Sequence, residues 1–109
     1  MNEEERVMVL KHKMYGILKQ MVKLTDKGNI LGFKRKNREY SNLYGQLFGN
    51  KKDKESIDWD QARNELTYIL SAKANFLNGK TSKEVYEKRK VEWWVDALKK
   101  FEQVKQYLT

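Results

Sequence analysis

Residues 3–27 read EEERVMVLKHKMYGILKQMVKLTDK, and this stretch decides the fold. Val7, Leu10, Met14, Ile17, Met21 and Leu24 recur at alternating steps of three and four, the signature of an apolar helical seam. Tyr15, Leu18 and Val22 flank it, so the apolar face is wide enough for more than one neighbour. Glu3, Glu4 and Glu5 suit the positive N-terminal end of a helix, and Lys23 and Lys27 suit its negative C-terminal end. Gly28 is a natural stop.

The same reading extends along the chain. Residues 28–33 form a short apolar connection, and a short second helix is expected over Asn37–Phe48, with Tyr40, Leu43, Tyr44, Leu47 and Phe48 inward. Gly49 and Asn50 end it. A third helix is expected from Ser56 or Asp58, the latter resembling a capping box with Gln61. Its buried face runs Trp59, Ala62, Leu66, Ile69, Leu70, Ala74, Phe76 and Leu77. After Asn78-Gly79, Thr81 and Glu84 resemble a second capping box. The last helix then has a seam of Val91, Trp94, Leu98, Phe101 and Leu108. The link between helices three and four is about three residues long, which forces an antiparallel hairpin. The expected fold is all-α: a compact three- to four-helix bundle, with a short second helix and a C-terminal antiparallel helical hairpin. Its 109 residues suit one helical domain over residues 1–109.

Composition excludes several function classes. There is no Cys, hence no disulfide framework, Cys-based zinc site or cysteine nucleophile, which fits a reducing, cytoplasmic location. The absence of Pro favours uninterrupted helices. No apolar run approaches the ~18 residues of a membrane span. The acidic N-terminus lacks the apolar core of a secretory signal. Membrane association is disfavoured because the apolar faces are needed inside.

The net charge is +8, from 23 Lys and Arg against 15 Asp and Glu. Such a field raises encounter rates with polyanions. Residues 1–27 carry +2, 28–55 carry +4, 56–79 carry −1 and 80–109 carry +3. Two stretches stand out. Phe33-Lys34-Arg35-Lys36-Asn37-Arg38-Glu39-Tyr40 sets basic residues beside aromatics, a combination that neutralises phosphates and stacks on bases. Lys51, Lys52 and Lys54 follow in the next loop. On the last helix, Tyr86, Arg89, Lys90, Trp93, Ala97 and Lys100 share one face. Trp93 and Trp94 are adjacent and point different ways. With Trp94 in the seam, Trp93 lies at the core edge or outside it. Aromatics at helical spacing are usually buried. An exposed Trp93 among cations would anchor a partner protein or a stacked base.

Other motifs fail on context. Residues 74–81 match the loose pattern [AG]-x4-G-K-[ST], but they follow a helical segment rather than a buried strand, and the loop interior is Asn-Phe-Leu-Asn. A helix-turn-helix centred on Asn78-Gly79 would place Glu84 and Glu87 against phosphates. His12 is the only histidine and lies opposite the first seam, so no metal site is expected. Asp58 and Asp60 read as capping residues rather than an acid/base pair. Lys73 and Lys105 fall at seam positions and read as snorkelling side chains. No catalytic constellation or cofactor site emerges. The expected function is therefore non-enzymatic. The first reading is a small basic accessory or regulatory protein binding nucleic acid, or a nucleoprotein complex, through Lys34, Arg35, Lys36, Arg38, Lys51, Lys52, Arg89, Lys90 and Trp93. The second is a protein-interaction module (inhibitor, adaptor or immunity-type protein) docking an acidic partner surface. Base-sequence specificity is not expected, because Lys outnumbers Arg 18 to 5 and Arg supplies the bidentate forks that read bases.

Overall fold

A computed structural model describes residues 1–109: four helices running up, down, up and down, and no strand. They are α1 (Glu3–Lys27), α2 (Ile30–Phe48), α3 (Lys54–Leu77) and α4 (Lys83–Gln103), followed by a 3-10 turn over Val104–Leu108. The α1–α2 and α3–α4 hairpins pack side by side into a rod of 52 × 24 × 23 Å. Its radius of gyration is 15.1 Å, against ~13 Å for a typical domain of this length. Its accessible surface of 7143 Å² exceeds the ~6,400 Å² expected of a folded monomer of this mass. Elongation leaves a large share of apolar surface uncovered.

The caps fix the element boundaries, and three differ from expectation. Asn2 accepts from the Glu5 amide and starts α1; Gly28, left-handed at φ 69°, ends it as expected. Residues 28–33 are not a connection. The Asn29 side chain accepts from the Gly32 amide, so α2 begins at Ile30 rather than Asn37, though it remains the shortest α-helix. Gly32 permits this: a Cβ there would lie 2.9 Å from a Leu24 methyl of α1. The cap of α3 is Asp53, which accepts from the Ser56 amide. Ser56 instead turns its hydroxyl to the Lys51 and Asp53 carbonyls. Asp58 is therefore inside the helix, not at its start. Likewise Ser82, not Thr81, caps α4 by accepting from the Val85 amide. The α3–α4 link spans residues 78–82, longer than expected but still a tight hairpin.

The core centres on Trp59 and Tyr40, both fully enclosed, with Met14, Leu18, Met21, Phe33, Leu66, Ile69, Ala97 and Val104 around them. The Tyr40 hydroxyl donates to the Trp59 carbonyl, while the Trp59 indole N–H has no partner. In α1 the buried line is Leu10, Met14, Leu18, Met21 and Thr25, with Ile17 and Leu24 half-buried beside it. The expected face of α3 holds at Trp59, Ala62, Leu66, Ile69 and Leu70, whereas Leu77 is exposed beyond the bundle.

The seam expected for α4 holds at Trp94, Phe101 and Leu108, which pack half-buried against the core, but not at its aliphatic positions. Val91 and Leu98 are 65% and 45% exposed, and the helix buries Tyr86 and Ala97 instead, with Val104 continuing the line. The cause is what α4 meets. Tyr86 stacks on Phe76 of α3 at 4.6 Å, and Phe101 stacks on Tyr15 of α1 at 4.9 Å. These two aromatic stacks set the rotation of α4 and turn its aliphatic stripe to solvent.

Candidate polyanion-binding surface

Charge is polarised along the rod. The basic half holds the α1–α2 and α3–α4 turns, which correspond to residues 16–39 and 66–93. It contains thirteen Lys and Arg against five Asp and Glu, so it carries the whole +8. The other half has ten of each and is neutral. The helices bring this about because their antiparallel order folds two separate basic stretches to one end. Contacts at both ends fix the alignment. Lys73 of α3 places its ammonium against Gly28 at the C-terminus of α1, and Lys11 of α1 pairs with Glu55 of α3 at 2.8 Å at the neutral end.

Within the basic half the expected site residues divide. Lys34 and Lys36 are two residues apart and so point ~160° apart around α2. Lys34 lines a shallow groove between α2 and α3, over Phe33 and Leu70. Lys36 lines a trough between α1 and α2 with Lys23, Lys27 and Gln20. Arg35 and Arg38 are exposed and form no ion pair, whereas Lys36 pairs with Glu39 at 3.0 Å. Lys90 reaches the α1–α4 groove beside Val22, Lys23, Asp26 and Trp94, and its ammonium sits 5.9 Å from the centre of the Tyr86 ring. Arg89, the next residue, turns to the far flank of α4. Lys51 and Lys52 lie at the opposite end, ~18 Å or more along the helix axis from Lys36; Lys51 pairs with Asp53 at 3.1 Å. Trp93 packs half-buried against the core, on the same side as Tyr86 and Ala97, and is not a free anchor.

The residues that join these pieces are on α1. Lys23 borders both troughs and so links Lys36 and Lys27 on one side to Lys90 on the other. Lys19, over the Tyr15 ring at 5.6 Å, extends the ridge. Asp26 is the one carboxylate lining the two troughs. The signal for this ridge was available: Lys19, Lys23 and Lys27 recur every four residues on the side opposite the apolar seam. Read from the sequence alone, Lys23 and Lys27 are helix-end charges.

The neutral end is built differently. There the Asp58 carboxylate, 7% exposed, accepts from Lys54 at 2.8 Å and from the Tyr107 hydroxyl at 2.6 Å. Burial pushes this carboxyl upward, but the hydrogen bonds from Lys54 and Tyr107 outweigh it and hold it below its ordinary value. Burial, and then the bond to Asp58, raise the Tyr107 phenol. His12 approaches the Leu108 carbonyl at 3.2 Å. These contacts fasten the 3-10 turn to α1 and α3. Asp58 is thus a tertiary docking residue rather than a helix cap, bonded to Tyr107 across the fold.

Comparison with family models, curated proteins and solved structures finds no match to this chain. No helix is long and apolar enough to cross a membrane.

Proposed function

We propose that this protein is a non-enzymatic accessory or regulatory factor that binds nucleic acid, or a nucleoprotein complex, through its basic half. One observation carries the reading: the entire +8 lies in one half of a 52 Å rod, with Lys23, Lys27, Lys36 and Lys90 along a continuous ridge. Lysines act as point charges, so the contact is with phosphates rather than base edges. Four phosphate contacts give a salt slope of about −3.6 on duplex DNA, a loss of about 150-fold between ~50 and ~200 mM salt. On single strands the corresponding loss is about 50-fold.

Fluorescence anisotropy with labelled duplex and single strands across a salt series tests this. Micromolar binding at low salt, independent of base sequence, supports it. No binding at low salt refutes it. The second reading, an inhibitor, adaptor or immunity-type module docking an acidic protein face, draws support from the excess of Lys over Arg, since ammonium groups suit carboxylates as well as phosphates. Tighter binding of polyglutamate than of nucleic acid at matched salt would select it.

A further inference from the structure

The rotation of α4 leaves Val91, Val95 and Leu98 in line on its outer side, at spacings of four and three residues. Val95, at the middle, is 56% exposed. Lys88, Glu92 and Lys99 border one side of this stripe, and Glu102 continues its line beyond Leu98. Lys88, Glu92 and Lys99 form no ion pair within the chain; Glu102 holds only the exposed Lys105, at 3.0 Å.

We propose that this stripe is a homodimer contact, covered by α4 of a second copy running antiparallel. The charge order argues for that occupant. Lys88 and Glu102 lie equally far on either side of Val95, and Glu92 and Lys99 are nearly so. Place a two-fold axis at Val95 and the same flank of each helix meets its own reverse. Lys88 then faces the partner's Glu102, and Glu92 faces the partner's Lys99. Each of these four charges meets its opposite. The same operation lays Val91 on the partner's Leu98 and brings the two copies of Val95 together. A parallel copy would set Lys88 beside the partner's Lys88 and Glu102 beside the partner's Glu102, and would leave Glu92 and Lys99 on opposite sides of the contact. Self-complementarity under a two-fold is what an isologous interface demands. The rod's surplus accessible surface is consistent with a further face to cover. A stripe this narrow implies reversible, micromolar association.

Light scattering or sedimentation on the full chain, from low to high micromolar, tests the proposal. The mass is expected to rise towards twice 13.1 kDa. Val95→Asp, on an exposed face, is expected to keep the helical circular dichroism and weaken association about tenfold or more. Lys88→Glu is expected to weaken it too, and Lys88→Glu with Glu102→Lys to restore it. Val95→Cys introduces the sole cysteine and is expected to cross-link across the two-fold on oxidation, while Leu31→Cys, exposed on α2, is not. A mass of 13.1 kDa at every concentration overturns the proposal. So does a dimer indifferent to Val95→Asp, or one that the paired charge swap fails to rescue.

Discussion

Replacing Asp58 by Ala removes the acceptor that fastens the 3-10 turn to α3. Its carboxylate holds Tyr107 at 2.6 Å and Lys54 at 2.8 Å. The Lys54 arm is open to water and is the smaller contributor. The Tyr107 bond is partly buried, and a hydrogen bond to a charged group contributes about 1.5–3 kcal/mol. Asp58→Ala is therefore expected to cost about 2 kcal/mol. With ~2.1 cal/mol/K of unfolding entropy per residue, that lowers Tm by about 9 °C. Asp58→Asn keeps one acceptor oxygen and is expected to cost about half as much. The effect also has a pH signature. The folded carboxyl sits below its unfolded value of about 3.9, so its stabilisation is present above that pH. It is lost as pH falls through the lower folded value. The gap between wild type and Asp58→Ala is thus widest near neutrality and narrows below about pH 4. Urea unfolding followed by tryptophan fluorescence, to which Trp59, Trp93 and Trp94 contribute, reads both. A cost under about 0.5 kcal/mol at pH 7, below any charged hydrogen bond, would refute the reasoning. A gap unchanged into acid would refute it equally.

Lys23→Gln, at the junction of the two troughs, is expected to reduce the salt slope of nucleic-acid binding by about 1, while Lys52→Gln at the neutral end leaves it unchanged; anisotropy titrations compare them. Gly28→Ala forces a side chain into the left-handed region at φ 69° and displaces the Lys73 ammonium, so thermal unfolding is expected to show a loss of about 1–2 kcal/mol. Trp93→Ala is expected to destabilise by about 2–3 kcal/mol, less than for a fully buried Trp. Polyanion affinity measured well below the lowered Tm is expected to stay within twofold, since Trp93 is held by the core.

Much of this architecture is written locally. The seam around Leu10, Met14 and Met21, the stop at Gly28, and the buried face from Trp59 to Leu70 follow from helical period and backbone chemistry, and those are properties of short segments. The net charge and the rarity of Arg are likewise composition. Caps were less legible, because Ser56, Asp58 and Thr81 compete with Asp53 and Ser82 within a few residues. Which one caps depends on where the chain arrives. The rotation of α4 was legible only in part: the inward Trp94 and Phe101 follow from helical period, the exposure of Val91 and Leu98 does not. Its helix has apolar residues on two sides, and the stacks of Tyr86 on Phe76 and Phe101 on Tyr15, between residues distant in sequence, choose which side goes in. The same choice leaves Val91, Val95 and Leu98 outside and draws Trp93 inside. The basic ridge has the same origin. Each helix carries its own lysines, but only the antiparallel alignment sets Lys36, Lys23 and Lys90 along one ridge, since charges ten to seventy residues apart have no relation until packing supplies one.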